Sequence, residues 1–186
     1  MFVLLILTVF IISIGLILLI LKQLKKSILL FIVTLVIVIL YFGGWWVFVQ
    51  NHHFVRSTDL AKENIGDVSL LDPINESLMK GYGEYTEHEN IYYERSFHFE
   101  TGSIGTNSKN EIIYIRAIDP RVKTTSGLKI GDLKQEISEW YGDNYFEQRE
   151  MGRGDSINYI DRQYNIQLQF WLIDDRITEI VLKKVR

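Results

Sequence analysis

Two stretches 59 residues apart share one plan, and that repetition limits the fold more than any other feature of the chain. In TTSGLKIGDLKQEISEWYGDNY, residues 124–145, Asp132 can N-cap a helix and Gln135 stands three residues on, as in a capping box. Leu133, Ile137, Trp140 and Tyr141 recur at i, i+4, i+7 and i+8, one helical face, and Gly142 is placed to end the helix in the left-handed conformation. Residues 71–83, LDPINESLMKGYG, match Ile74 to Leu133, Leu78 to Ile137, Tyr82 to Tyr141 and Gly83 to Gly142. Asp72 before Pro73 is a natural cap and first helical position, one residue out of register with Asp132. Only two of the thirteen positions are identical, so the plan rests equally on the strands downstream of each helix.

After Gly142 come three strand-like runs, SINYI (156–160), NIQLQFWLI (165–173) and RITEIVLKKV (176–185), the last two joined at Asp174-Asp175, a hairpin signal. After Gly83 come IYYERSFHFE (91–100) and EIIYIRAI (111–118), joined by the Gly-, Ser- and Asn-rich loop TGSIGTNSKN. Short strands in series with hairpin-length connections predict an α+β fold of two tandem copies, 69–122 and 123–186, each a helix plus an antiparallel sheet. SGLKIGDLKQEISEWYG, followed by a strand ending near Phe170 and one of the form DDRITEIVL, resembles the repeat of the tandem β-lactamase inhibitory proteins. It is also similar to the small outer-membrane assembly lipoproteins and related extracytoplasmic domains of Gram-positive bacteria. The resemblance covers about 69–186, and the first copy lacks the glycine-rich lead-in of the second. It implies a binding or assembly protein rather than an enzyme.

The chain before these copies has a different character. Residues 1–50 contain no Asp or Glu, and their only charges are Lys22, Lys25 and Lys26. Phe2–Leu21 and Ile28–Val49 are uncharged runs of 20 and 22 residues. As helices they would measure roughly 30 and 33 Å, each long enough to cross a bilayer. They predict a transmembrane hairpin over 1–50 with helices 2–21 and 28–49. A signal peptide is disfavoured, because no basic region precedes the first run and no A-x-A-like cleavage site comes after it. Three lysines within Lys22–Ser27 place that turn on the cytoplasmic side, giving a multi-pass cell-membrane protein with an extracytoplasmic C-terminal domain. Tyr41, Trp45 and Trp46 fit an interfacial aromatic belt, and Gly15 and Thr34 fall at one depth, where small residues let helices approach. Neither run has an ionisable residue for a proton or ion path, so the hairpin reads as an anchor. Residues 51–68 read as a polar stalk, with helix-compatible STDLAKEN stopping at Gly66.

Residues 51–186 carry 17 Lys and Arg against 23 Asp and Glu, a net charge of −6 without a basic stripe, which argues against a nucleic-acid partner. The absence of cysteine excludes disulfides, thiolate metal sites and a Cys nucleophile. His52-His53 lacks any other His or Cys at ligand spacing and reads as interfacial decoration. There is no H-E-x-x-H, G-x-S-x-G, P-loop or dinucleotide fingerprint, so no catalytic residue, metal or cofactor is assigned. Gly102-Ser103-Ile104-Gly105 imitates a nucleophile loop but reads as a flexible hairpin loop, and Arg153-Gly154-Asp155 reads as a turn. The acid pairs Glu87/Glu89 and Asp174/Asp175 are candidates for cation binding or acid–base work, weighed against ordinary solvated turns.

Aromatic residues carry the stronger signal. Fifteen lie between 82 and 171, more than a small core easily buries. Period-2 alternation puts Ile166, Leu168, Phe170 and Leu172 on one face of their strand and Gln167, Gln169, Trp171 and Ile173 on the other. In the strand from 91, Ile91, Tyr93, Arg95, Phe97 and Phe99 share a face, leaving Tyr92, Glu94, Ser96 and His98 opposite. The expected partner-binding surface is therefore an open sheet face centred on Trp171 with Tyr92, His98 and Gln169. The competing arrangement packs the two copies together and buries some of these residues. The function expected is a membrane-anchored, extracytoplasmic module of a bacterial envelope that captures a protein or envelope component. The alternative is a small envelope hydrolase using carboxylates such as Asp174 or Asp175.

Overall fold

The structure, a computed structural model, describes residues 24–49, 55–88 and 90–185, with side chains of the first helix given at 25, 26, 28, 29 and 31–44. The chain divides into two compact units, Met1–Asn51 and His52–Arg186.

The first unit contains α1, Leu24–Val49. No helix among the described residues is long and apolar enough to cross a membrane. The expected pair of transmembrane helices, the membrane as a partner and the multi-pass cell-membrane location with an extracytoplasmic domain are withdrawn on this finding. The first expected span, 2–21, lies outside the described residues, as do Gly15, His52 and His53.

The second unit is built on one sheet. A short hairpin, β1 (Asn64–Ile65) and β2 (Val68–Ser69), leads into α2 (Glu76–Tyr82) and four strands: β3 (Tyr85–His88), β4 (Arg95–Phe99), β5 (Gly102–Thr106) and β6 (Ile112–Ala117). Then α3 (Lys134–Tyr141) leads into β7 (Phe146–Glu150), β8 (Gly154–Asp161), β9 (Ile166–Ile173) and β10 (Arg176–Lys184). The strand order is β3-β4-β5-β6-β10-β9-β8-β7, and every pairing is antiparallel. The last strands of the two halves pair at the centre, so the expected two sheets are replaced by one eight-stranded sheet with a common core.

The two halves enter this sheet by the same backbone device. Asp72 Oδ2 accepts the amide of Ser69 at 3.0 Å, and Asp132 Oδ2 accepts that of Lys129 at 2.9 Å. The Asp72 carbonyl receives the Ile112 amide at 3.0 Å, and the Asp132 carbonyl receives that of Ile177 at 2.9 Å. Here the spacing is 60 residues, against 59 at the terminating Gly83 and Gly142, so the helices absorb a one-residue difference. Neither aspartate caps its helix, correcting the expected caps. Asn75 caps α2, accepting the Leu78 amide at 2.9 Å, and at α3 it is Glu136, not Gln135, whose carboxylate accepts the Leu133 amide at 3.0 Å. Where the second half has Gly131 at φ 98°, the first places Leu71 at φ 72°, a left-handed backbone that a leucine resists.

The helices and lead-in segments cover one sheet face. Phe97, Phe99, Ile104, Ile115, Ile157, Tyr159, Leu168, Phe170, Ile180 and Leu182 form the core there with Ile137 of α3 and Met79 of α2. Leu60, Ile65 and Val68 belong to the same core, so 55–68 is part of the unit rather than a stalk. Trp140 is 63% exposed although it shares the expected helical face. With about 100° per residue it stands some 60° to one side of Ile137, and the short helix gives the sheet only Ile137 and Tyr141.

Candidate functional site

Residues directly opposite one another in an antiparallel pair share a face. Phe170 lies opposite Ile157 and Ile180, on the core side, whereas Trp171 lies opposite Ser156 and Glu179, on the back face. The same rule carries the back face across the sheet through Gln169 and Asn158 in one direction and Arg116, Ser103 and His98 in the other. Glu179 is there because of a β-bulge. Ile177 pairs with Leu172 but Glu179 pairs with Trp171, so Thr178 is the extra residue and the alternation of β10 switches sides at it.

Glu179 organises the centre of this face. Its Oε2 accepts Arg116 Nη2 at 2.9 Å, and its Oε1 accepts Arg153 Nη2. The Arg153 guanidinium lies 4.2 Å from the centroid of the Trp171 ring, a cation–π contact that closes over the indole. Glu179 is buried, while the side chains of Arg116 and Arg153 keep 33% and 39% of their surface exposed. Tyr114 stands beside the pair on β6, stacked on Tyr93 at 4.9 Å between ring centroids. The hydrogen bond it donates to Glu179 holds the Arg116 guanidinium above its ordinary pKa, and burial beside Glu179 raises the Tyr114 hydroxyl. Burial, then the Arg153 charge, lowers Lys183, which lies on β10 opposite Tyr114. Two buried donors of the face, Arg116 Nε and Trp171 Nε1, meet no acceptor among the described residues. Leaving such a donor unpaired costs roughly 1–3 kcal/mol each.

The four expected contact residues are only partly assembled. Trp171 and Gln169 take the predicted face but are buried, at 4% and 6% exposure, so Trp171 is not an open anchor: Arg153 lies on it. Gln169 donates to Ser156 Oγ at 3.2 Å within an amide and hydroxyl ladder that includes Asn158 and Gln167. His98 is exposed on the same face, its ring 5.1 Å from that of His88 and its pKa lowered by burial, then by His88 and Arg116. Tyr92 is not in a strand, since β4 begins at Arg95. It lies in the preceding loop, 62% exposed. Its neighbour Tyr93 folds over the sheet instead, because Gly105 has no side chain there: a Cβ on Gly105 would lie 2.7 Å from the Tyr93 ring. The expected loop TGSIGTNSKN therefore contains a buried strand, β5, and its glycines serve close packing rather than flexibility.

Arg153, Glu179, Arg116 and Tyr114 were missed by sequence reasoning, which read Arg153-Gly154-Asp155 as a turn. The usable signal was Arg116, the one charge in IIYIRA, and Glu179, the one acid in RITEIVLKK. The acid pairs do other work. Asp174 and Asp175 are the exposed left-handed residues of the β9–β10 turn, at φ 50° and 57°, and Glu87 pairs with Arg95 at 2.7 Å. Glu89 lies outside the described residues, and no group of three or more His, Asp or Glu able to hold a metal occurs among those described. Two grooves flank the core side at equivalent places, about 470 Å³ by Ile74, Met79 and Phe97 and about 410 Å³ by Leu133, Ser138 and Ile157.

No family model and no curated protein matches the chain. Among solved structures, an extracellular protein containing an SCP domain from Bacillus anthracis str. Ames shares 8% identity at a TM-score of 0.42 over 63% of this chain. The chain spans about half the length of that structure, 47%.

Proposed function

We propose that residues 52–186 are a binding module that captures a protein on the back face of the sheet, around Tyr114, Arg116 and Arg153. The supporting observation is that two half-exposed guanidiniums are braced on the two oxygens of one buried carboxylate. Side chains held in advance lose less freedom on binding, and arginine, tyrosine and tryptophan are the residue types that dominate protein interfaces. The resemblance to inhibitory and assembly repeats implies the same class of function. The hydrolase alternative has less behind it. Asp174 and Asp175 are exposed residues that shape a hairpin turn through their left-handed backbone.

The test is photo-crosslinking in cells. A crosslinking amino acid at His98 or Ile173, both exposed on the back face, should yield a discrete adduct. One at Gln135 or Trp140, exposed on α3 across the sheet, should not. Adducts from α3 positions alone would place the binding surface elsewhere.

A further inference from the structure

We infer that the partner docks an acidic segment, placing an Asp or Glu carboxylate on the Arg116–Arg153 pair, an inference that rests on the protein-capture reading above. The first observation is charge. Residues 51–186 are net −6, yet Arg116, Arg153 and Lys183 converge at the centre of one face over one buried acid, Glu179. Glu150, 3.8 Å from Arg153, is the other nearby acid, and its side chain is mostly exposed at the rim. This local reversal of sign is a steering surface for an acidic partner.

The second observation is an excess of donors. A guanidinium has five N–H groups in a planar fork. Glu179 takes an Nη2 hydrogen from each arginine, so both forks have donors left on side chains that keep a third or more of their surface exposed. A second carboxylate brings acceptors only, and its geometry matches the arginine fork. The third observation favours a peptide over a small anion. Arg116 sits on a strand and Arg153 reaches over the sheet from the β7–β8 turn, beside the stacked Tyr93 and Tyr114, which offer area to neighbouring side chains. The helices, whose N-terminal amides could cradle a phosphate, pack on the opposite face.

The experiment selects a randomised peptide library on the immobilised full-length chain. Asp and Glu should be enriched in the bound sequences, and binding should weaken steeply with salt. Arg116→Gln and Arg153→Gln should each reduce affinity for the selected peptides by about tenfold or more, and Arg153→Lys should restore part of it. Arg116→Gln leaves Glu179 paired with Arg153, so the variant keeps its fold, checked by far-UV circular dichroism. Enrichment without acids, lost on Gln167→Trp, would overturn the acidic partner while leaving the face as the docking surface. Peptides indifferent to Gln167→Trp and to both arginine variants, or no enrichment at all, would overturn both. Full displacement by equimolar inorganic phosphate would replace the peptide with a small anion and overturn the inference.

Discussion

Phe170 and Trp171 are neighbours in sequence with opposite surroundings, and replacing each with alanine tests the assignment of the two faces. Phe170 is fully buried and packs against Tyr141 and Tyr159, with ring centroids 5.7 and 6.5 Å away. Its removal leaves a cavity closed by strands and helix, so Phe170→Ala should cost about 4 kcal/mol. Trp171 is also buried, but under a side chain rather than under backbone. Truncation loses roughly 0.5–1 kcal/mol of cation–π contact with Arg153 together with a large apolar area. It also removes an unpaired buried N–H, which returns about 1 kcal/mol. Water can then enter beside Arg153, so Trp171→Ala should cost about 2–3 kcal/mol, less than its neighbour. Urea denaturation of the full-length chain, monitored by far-UV circular dichroism, measures both. A Trp171→Ala cost below about 0.5 kcal/mol would mean that the indole is an ordinary surface side chain. A double-mutant cycle with Arg153→Ala should show a coupling of about 0.5–1 kcal/mol, and strict additivity would refute the stacking.

Leu71→Gly should stabilise the protein by about 0.5 kcal/mol, since relief of a left-handed leucine exceeds the added unfolded-state freedom. A lower urea midpoint would show that the half-exposed side chain matters more than its backbone. Gly105→Ala should cost about 1–3 kcal/mol by pushing Tyr93 off Tyr114, and the loss should shrink in a Tyr93→Ala background. An undiminished loss there would point to the backbone instead. The side-chain and backbone hydrogen bonds with Arg121 hold Asp119 down at about 2. Its folded pKa is below the ordinary 3.8, so the pairing contributes fully above that pH and fades as pH falls towards 2. A carbon NMR titration should give this low midpoint, and Arg121→Gln should return it towards 3.8; an unmoved midpoint would refute the pairing.

Local pattern alone made several elements legible. Alternation located β8 and β9, where Ile157 and Tyr159, and Ile166, Leu168, Phe170 and Leu172, face the core at every second position, and β10 from Ile180 onward, past its bulge. The helix ends at Gly83 and Gly142 were legible for the same local reason, a glycine where the chain must turn left-handed. The strands β3, β5 and β7 were not. GSIGT and FEQRE lack the apolar alternation, and GSIGT becomes a strand only because its neighbours need glycine for their own packing. Pairing of β6 with β10 was also beyond the sequence, since nothing local says whether two meanders stay apart or join. That pairing, with the bulge at Thr178, sets Glu179 beside Arg116 across 63 residues. Arg153 could reach them only once the β7–β8 turn was folded beside β9. Alternation thus determined that Trp171 turns away from the core. Whether that second face was open or already covered depended on a side chain arriving from a turn, which only the tertiary structure decides.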